Sequence, residues 1–313
     1  MNSGTSFQRI DCDTAEDFVK QVRPSNSIWR GPGRKWGFRG QADTYWRLVP
    51  KAFREEFPNC QYRRYPTKSM ESAIQHAYLE LEMFRDFFRL ADSVGLKVPG
   101  GEYVLSVEFE KHVEHLQGGQ WPFPQVLPGL AIAQHHGVPT RLLDFTSSAL
   151  VAAYFAAISR IEGSRDCFKE NGICVWAVNL LFTNYAWGLP PYLNRMIEVV
   201  QVPTADNLFL NRQRGFFLYV ARSREFPIPP IDELILRRSR DPRHRHSLEQ
   251  SGVDLTHFQP PLVYQITAPA DAARDILEIL DRQDGISRAS LMPTYDNIAR
   301  TLEFKRDRGI PIE

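Results

Sequence analysis

Four short apolar runs in the second half of the chain constrain its fold more than any other feature. Each run is rich in β-branched or aromatic residues and is bounded by Gly or Pro, a pattern typical of buried β-strands. The runs occupy residues 173–178, 197–202, 215–221 and 262–266. Helical patterns mostly precede these runs instead of alternating with them as in βαβ units. The order therefore predicts an α+β fold with a largely antiparallel sheet.

The first half of the chain has a mainly helical pattern. Residues 70–92 carry apolar side chains at three- and four-residue spacing, which predicts an amphipathic helix. The same spacing recurs at residues 148–161, whereas residues 35–40 have the pattern of a short strand that opens into a loop. Further helices are predicted at residues 13–22, 103–116, 129–136, 270–281 and 295–304. We expect the helical N-terminal part to pack on the sheet.

Composition excludes several classes of protein. With 38 Lys and Arg against 37 Asp and Glu, the net charge of +1 argues against a surface built wholly to hold polyanions. The four Cys residues lie far apart and lack metal-binding spacing, so we expect no metal. No apolar run reaches the ~20 residues of a membrane helix, and residues 1–18 lack the pattern of a secretory signal. We therefore expect a cytoplasmic protein without membrane contact.

The densest group of chemically active side chains lies in residues 134–148. These side chains surround a Gly-Val-Pro turn, and such turns often aim polar groups outward. The polar residues are His135, His136, Arg141, Asp144, Thr146 and Ser147. Adjacent imidazoles point apart in a helix or a strand, which makes them poor joint ligands of a metal. The segment therefore predicts a candidate site that holds no metal.

This segment has a functional and a structural interpretation. In the first, Thr146 or Ser147 caps the following helix, whose N-terminal N–H groups then favour an anionic ligand. In the second, Arg141 and Asp144 form a buried ion pair and the hydroxyl groups only cap the helix. The sequence leaves both interpretations open.

Two further polar positions stand beside predicted strands. Arg39 precedes Gly40 at the end of the first strand, and the glycine leaves the guanidinium open to a phosphate. Gln213 precedes the apolar run at 215–221 and could hydrogen-bond a ligand amide or hydroxyl. Ordinary structural roles are equally compatible with both positions.

Residues 222–261 differ in composition from the rest of the chain. They contain six prolines and a basic cluster, which predicts a long exposed excursion. The arginines of the cluster are Arg237, Arg238, Arg240, Arg243 and Arg245. They could contact a nucleic-acid backbone, although no aromatic residue interleaves with them and a solvated surface is the simpler interpretation.

The sequence resembles the FRG-domain family, which is named for a Phe-Arg-Gly motif. That motif is present at residues 38–40, with Gln41 after it, and Gln-His-His-Gly-Val-Pro-Thr-Arg-Leu-Leu-Asp-Phe-Thr follows at residues 134–146. Ala-Ala-Tyr-Phe-Ala at 152–156 and Asn-Arg-Gln-Arg-Gly-Phe at 211–216 extend the likeness.

The resemblance also implies a division of the chain and a biological setting. It implies a lead-in at residues 1–30 and an FRG domain at 31–221. A strand and helices at 262–313 would complete the domain after the excursion at 222–261. Members often occur in bacteria and their phages, which implies a role in conflict between them.

More distantly, the pattern resembles ADP-ribosyltransferases of the Arg–Ser–Glu type. In those enzymes an Arg on the first strand grips NAD, a Ser-containing strand precedes a helix, and a Glu activates the ribose. The resemblance implies NAD as a substrate, with Arg39 at its pyrophosphate or ribose and Thr146 and Ser147 on the nicotinamide side. The full set of implied NAD-binding residues is Arg39, Gln41, Arg141, Thr146 and Ser147. The implied catalytic residues are His136, Asp144 and Gln213.

The third motif of that enzyme type is changed in this chain. Gln213 stands at the plausible position of the Glu, and there is no clear Glu-x-Glu. Cleavage of the nicotinamide–ribose bond develops oxocarbenium character, which a carboxylate stabilises better than an amide does. Asp144 could supply that charge if it is free of Arg141, and His136 could take a proton from the acceptor.

Three functional hypotheses follow. The preferred one is an NAD-binding, ADP-ribosyltransferase-like protein that modifies a protein or nucleic-acid acceptor. The second is a non-catalytic module that binds a nucleotide or a phosphorylated ligand at the same polar cluster. The third is a nuclease that uses His136, with the arginines of residues 237–246 on the backbone of the nucleic acid. The deciding structural observation is whether Arg39, Thr146 and Gln213 line one cleft.

Overall fold

The computed structural model describes residues 6–31, 34–54, 73–114, 121–164, 167–180, 197–202, 208–221, 225, 227–250 and 260–312. Within these ranges, seven strands form one sheet in the order β1-β7-β4-β2-β3-β6-β5. The strands are β1 Phe7–Asp11, β2 Trp36–Gln41, β3 Leu143–Thr146, β4 Gly172–Asn179, β5 Ile197–Val200, β6 Gly215–Val220 and β7 Val263–Pro269. β1 runs parallel to β7, and the other paired strands that the structure describes are antiparallel. The predicted α+β fold with a largely antiparallel sheet is confirmed.

Helices cover both faces of this sheet. They are α1 Ala15–Val22, α2 Ala73–Ser93, α3 Gly101–Val104, α4 Val107–Glu114, α5 Leu127–His135, α6 Ala149–Glu162, α7 Leu208–Arg212, α8 Ile231–Arg240, α9 Pro242–Gln250, α10 Ala273–Asp284, α11 Arg288–Leu291 and α12 Tyr295–Asp307. The predicted helices and strands mostly recur with ends moved by a few residues. The predicted helix at 103–116 is instead two helices, because the Ser106 hydroxyl accepts the Phe109 N–H and starts a new one. Residues 70–72 and 115–116 of the predicted helices lie outside the described ranges.

Three apolar clusters hold the helices on the sheet. Helices α1, α6 and α10 pack on β2, β4 and β7 around residues such as Phe38 and Ile266. Helices α2 to α5 pack around Phe84 and reach Phe217 of β6, whereas α8 packs in a cluster that contains Leu218. Because neighbouring residues of a strand point to opposite faces, α8 and the α2–α5 group lie on opposite sides of β6. The predicted packing of the helical N-terminal part on the sheet is confirmed.

Local sequence signals set the ends of several helices. The Thr14 hydroxyl caps α1 by accepting the Asp17 N–H. Ser148, rather than the predicted Thr146 or Ser147, caps α6 through the Val151 N–H. The Thr146 hydroxyl instead accepts the Ser148 N–H, one residue before α6 begins.

Two strands have no counterpart among the apolar runs. β1 lies in the predicted lead-in and carries the exposed charged residues Arg9 and Asp11, so its sequence lacks an apolar pattern. It nevertheless pairs with β7 from Phe7 opposite Val263 onward and forms the edge of the sheet. β3 is only four residues long, too short for a period of two to stand out from the polar motif around it.

The predicted exposed excursion at residues 222–261 is wrong for α8. Ile231, Leu234 and Ile235 are buried against the sheet, and the basic residues lie at the other end of the same helix. Two of the prolines stand at helix ends. Pro230 is the residue before the first turn of α8, and Pro242 is the first residue of α9. Prolines next to arginines therefore mark helix ends here, where the composition alone indicated a loop.

Candidate functional site

A cleft of about 250 Å³ opens where α6 crosses β2 and β3 and meets the start of β6. Arg39, Thr146 and Gln213 all line it, and Asp144 lies beside them. They come from three different strands or strand ends, so the fold brings together residues that are up to 174 positions apart in the chain. Its walls are largely aromatic and are formed by Phe38, Phe145, Phe155, Phe216 and Phe217.

Gly40 allows the close approach that shapes this cleft. A Cβ atom at Gly40 would lie 1.8 Å from the Ala152 carbonyl oxygen and 2.7 Å from the Ala156 nitrogen. The backbone of α6 therefore rests directly on β2, as only glycine permits. This contact sets the depth of the cleft beside Arg39.

Arg39 is the most deeply placed charge in the cleft. Its Nη1 donates to the Asp144 carbonyl oxygen at 2.8 Å and lies 3.5 Å from the Asp144 carboxylate. Its Nε is buried and has no hydrogen-bond partner among the described residues. Burial lowers the pKa of Arg39, and the nearby Asp144 opposes that shift. An arginine stays protonated in proteins, so Arg39, with 16% of its side chain exposed, is a largely buried cation with one unused donor in the wall of the cleft.

Thr146 and Gln213 join two strands at the edge of the cleft. The Thr146 hydroxyl donates to the Gln213 carbonyl oxygen at 2.7 Å and accepts the Ser148 N–H at 3.1 Å. Arg214, with φ of 50°, makes the turn from Gln213 into β6, and its carbonyl oxygen accepts the Ser147 N–H. The side-chain amide of Gln213 has no hydrogen bond to any described residue, so it is available to a ligand.

Asp144 supplies the carboxylate of the cleft. Its side chain is 54% exposed, and its Oδ2 accepts a hydrogen bond from Gln134 Nε2 at 3.0 Å. Thr140 donates to Gln134 Oε1 at 2.7 Å and so orients that amide. No other carboxylate belongs to the described residues that line the cleft.

His135 lines the cleft, and His136 does not. The His135 ring lies 5.4 Å from Phe209 and 5.3 Å from the ring of His136, which is exposed. Burial lowers the pKa of His135, His136 lowers it further, and Asp144 acts in the opposite direction. The sequence predicts His136 as the candidate base, and it does not show that His135, which is also exposed, is the imidazole that lines the cleft.

Residues 34–164 match the family model of the FRG domain. The chain contains an FRG domain. The matched segment holds Arg39, His135, Asp144 and Thr146, whereas Gln213 lies outside it. No curated protein and no solved structure matches the chain.

Arg141 of the FRG domain lies outside the cleft, in the core. Its Nε and Nη2 donate to Glu80 Oε2 at 2.8 and 2.6 Å, and its Nη1 donates to the Trp121 carbonyl oxygen at 2.8 Å. The structural interpretation in which Arg141 pairs with Asp144 is therefore wrong, since Glu80 pairs with the guanidinium and Asp144 lies beside Arg39. Arg141 precedes β3 and points into the core, whereas Asp144 lies exposed on β3 beside Arg39.

Glu80 is a structural residue that the sequence analysis did not single out. It lies on the buried side of α2, with His76 one turn earlier and its Nδ1 3.3 Å from Glu80 Oε2. Burial acts to raise the pKa of Glu80, but Arg141 and His76 outweigh it and the net shift is downward. The signal that could have revealed it is a His and a Glu at i and i+4 on the apolar face of a helix.

Gln41 and Ser147, two residues that were expected to bind NAD, do not line the cleft. Gln41 is buried, donates to the Arg47 carbonyl oxygen at 3.2 Å and accepts from Trp176 Nε1 at 2.9 Å. Ser147 is exposed at the start of α6 and is not among the residues that line the cleft. The structure therefore brings Arg39, Asp144, Thr146 and Gln213 together and leaves Gln41, His136, Arg141 and Ser147 outside.

The arginines of residues 237–246 lie on α8 and α9. Arg237 pairs with Glu225 and Glu233, and Arg243 pairs with Asp241. Burial lowers the pKa of Arg238, and Arg240 is exposed. The side chain of Arg245 lies outside the described part of the structure. Neighbouring carboxylates thus neutralise part of this basic cluster.

The described residues show neither a cluster of metal ligands nor a membrane-spanning helix. Within the described ranges, no three His, Cys, Asp or Glu side chains are grouped as metal ligands. No helix described here is both long enough and apolar enough to cross a membrane.

Proposed function

We propose that the FRG-domain cleft binds NAD and that the protein transfers ADP-ribose to a protein or nucleic-acid acceptor. The observation that carries this proposal is the convergence of Arg39, Thr146 and Gln213 on one cleft, with the Arg39 Nε buried and unpartnered. A buried cation with a free donor favours an anionic, oxygen-rich ligand. A pyrophosphate has that chemistry.

The size and walls of the cleft support a particular placement of NAD. Its volume of about 250 Å³ lies just below the ~300–1,000 Å³ of typical ligand pockets, so only part of the dinucleotide fits inside. The aromatic walls suit the flat nicotinamide ring, which stacks on phenyl groups. In this placement, nicotinamide and its ribose enter the cleft and the pyrophosphate reaches Arg39.

The proposed chemistry assigns the negative charge to Asp144. Loss of nicotinamide leaves positive charge on the ribose, and a carboxylate stabilises that charge. Gln213, which is uncharged, hydrogen-bonds the ribose and orients it. His135 takes the proton of the acceptor in place of His136, because His135 lines the cleft and burial favours its neutral, proton-accepting form.

Labelled NAD tests the proposal. Incubation of the protein with NAD carrying a labelled adenylate and with cell lysate is expected to release nicotinamide and to label a macromolecule. Arg39→Ala is expected to abolish both signals, since it removes the buried cation. Arg89→Ala is the matched control, because its side chain is 66% exposed on α2 and distant in sequence from every cleft residue. If the protein neither binds nor cleaves NAD, the proposal is wrong.

One observation favours the second candidate, a recognition module that binds a nucleotide without turnover. Gln213 carries no charge, and the one cleft carboxylate, Asp144, already contacts Arg39 and Gln134. NAD binding measured by calorimetry, with no release of nicotinamide, would support this candidate. The nuclease hypothesis lacks comparable support, because His136 is outside the cleft and Arg237 and Arg243 are ion-paired. A role in conflict between bacteria and phages belongs to the same proposal and depends on the identity of the acceptor.

A further inference from the structure

A second cavity, of about 500 Å³, lies between α6 and the C-terminal helices α10, α11 and α12. It is on a different side of α6 from the FRG cleft. The cleft is lined by Ala152, Phe155 and Ser159, whereas the cavity is lined by Tyr154 and Ile158. On a helix these two sets, spaced by three or four residues, form separate stripes. The cavity is therefore a separate space, and its size lies within the range of ligand pockets.

Part of the cavity lining is apolar, and the hydroxyl of Tyr154 has no hydrogen-bond partner among the described residues. Ile158, Leu277, Ile286 and Phe304 supply the apolar lining. Tyr154 also lines the cavity, is only 3% exposed, and has a buried hydroxyl with no hydrogen-bond partner among the described residues. A buried hydroxyl without a partner destabilises the fold, and a ligand that accepts a hydrogen bond from it would remove that cost.

The lining also carries three guanidinium groups, those of Arg274, Arg288 and Arg300. Glu162 accepts from Arg288 and lies 3.7 Å from Arg300, so two arginines share one carboxylate. Arg274 and Glu303 also line the cavity, and neither forms an ion pair with another described residue.

The other two cavity carboxylates have cations of their own. Asp281 lies 3.1 Å from Lys305, and Asp307 lies 3.2 Å from Arg306. The lining itself thus holds three guanidiniums and four carboxylates, and with Lys305 and Arg306 five cations stand against four carboxylates. The one positive charge in excess favours one negative charge on a ligand.

We propose that this cavity binds a small organic anion with an apolar body, such as a monocarboxylate, at a site separate from the FRG cleft. The apolar body lies against Ile158, Leu277 and Phe304. The anionic head accepts hydrogen bonds from Arg288 and from Tyr154. Burial raises the pKa of Tyr154 to about 12, with Arg288 opposing and Glu162 adding to the shift, so the hydroxyl keeps its proton and can donate it.

Calorimetric titration of the full chain with octanoate tests this site. Octanoate is expected to bind, and octan-1-ol, which has the same body without the charge, is expected to bind at least tenfold more weakly. Octyl phosphate distinguishes a carboxylate head from a phosphate head, and tighter binding of either one identifies the preferred head group. If octanoate fails to bind, or if octan-1-ol binds equally well, the proposal is overturned.

Substitutions locate the binding. Tyr154→Phe and Arg288→Gln are each expected to weaken octanoate binding about tenfold, which corresponds to ~1.4 kcal/mol. Tyr295→Phe and Arg89→Gln are the matched controls, because Tyr295 is 92% exposed and Arg89 is 66% exposed, and neither lines the cavity. Unchanged affinity in both Tyr154→Phe and Arg288→Gln would place the ligand elsewhere and overturn the proposal.

A third variant tests the head group even if the first two variants do not fold. Arg300 is 62% exposed, so Arg300→Gln removes a cavity charge with little effect on the core. It is expected to weaken octanoate binding about threefold and to leave the thermal unfolding midpoint unchanged. If Tyr154→Phe and Arg288→Gln unfold, equal affinity in Arg300→Gln and wild type overturns the assignment of the head group.

Discussion

At the scale of single residues, the buried contact of Arg141 with Glu80 is expected to matter for stability. Both side chains are at most 5% exposed, and the removal of one partner leaves an uncompensated charge in the core. Arg141→Ala is expected to lower the free energy of unfolding by about 3–5 kcal/mol, measured by urea denaturation. Arg89→Ala, at an exposed site, is the control and should change it by less than about 0.5 kcal/mol.

The pH dependence of this pair has a definite sign. The folded pKa of Glu80 lies below its ordinary value, so the stabilisation is present above about pH 4.5 and is lost as the pH falls through the lower folded value. The difference in unfolding free energy between wild type and Arg141→Ala should therefore shrink as the solution is acidified from pH 7. A difference that stays constant down to the acid unfolding of the wild type would contradict this account.

At the scale of elements, the contact of α6 with β2 depends on Gly40. Gly40→Ala places a Cβ 1.8 Å from the Ala152 carbonyl oxygen, so the helix must move away from the strand. The expected loss of unfolding free energy is about 3 kcal/mol or more, the upper range for overpacking. Gly95→Ala is the control, because nothing lies within 4 Å of its Cβ and only its φ of 76° is strained, at a cost of about 1–2 kcal/mol. Equal losses in the two variants would show that α6 does not rest on β2 as described.

The sequence predicts those helices and strands whose apolar residues recur at a simple spacing. The helix over α6 and the strand β4 follow from their apolar spacing alone. β1 escaped prediction because its residues are half exposed at the sheet edge, and α8 escaped because its three arginines match its three buried aliphatic residues in number. Arg39 and Gln213 were recognised through motif likeness, but the partner of Arg141 was not, since a contact between residues 80 and 141 leaves no local pattern.

At the scale of the whole molecule, the segment that matches the FRG domain lacks strands with which its own strands pair. Residues 34–164 include β2 and β3, but β4, which pairs with β2 along its length, and β6, which pairs with β3, lie beyond it. Expressed alone, residues 34–164 are expected to lack the cooperative unfolding transition of the full chain, because both strands would lose a neighbour. Circular dichroism during thermal unfolding measures this. A sharp transition in the fragment would mean that the helices alone stabilise the segment.

The parallel pairing of β1 with β7 also gives the sheet a mechanical property. Phe7 at the start of β1 stands opposite Val263, and Asp11 stands opposite Thr267. Tension applied between the start of β1 and the end of β7 would pull the two strands along their length in opposite directions. The hydrogen bonds between the two strands would then bear the force together instead of breaking one after another. The edge strand that carries no apolar run is thus placed where it can resist being drawn out of the fold.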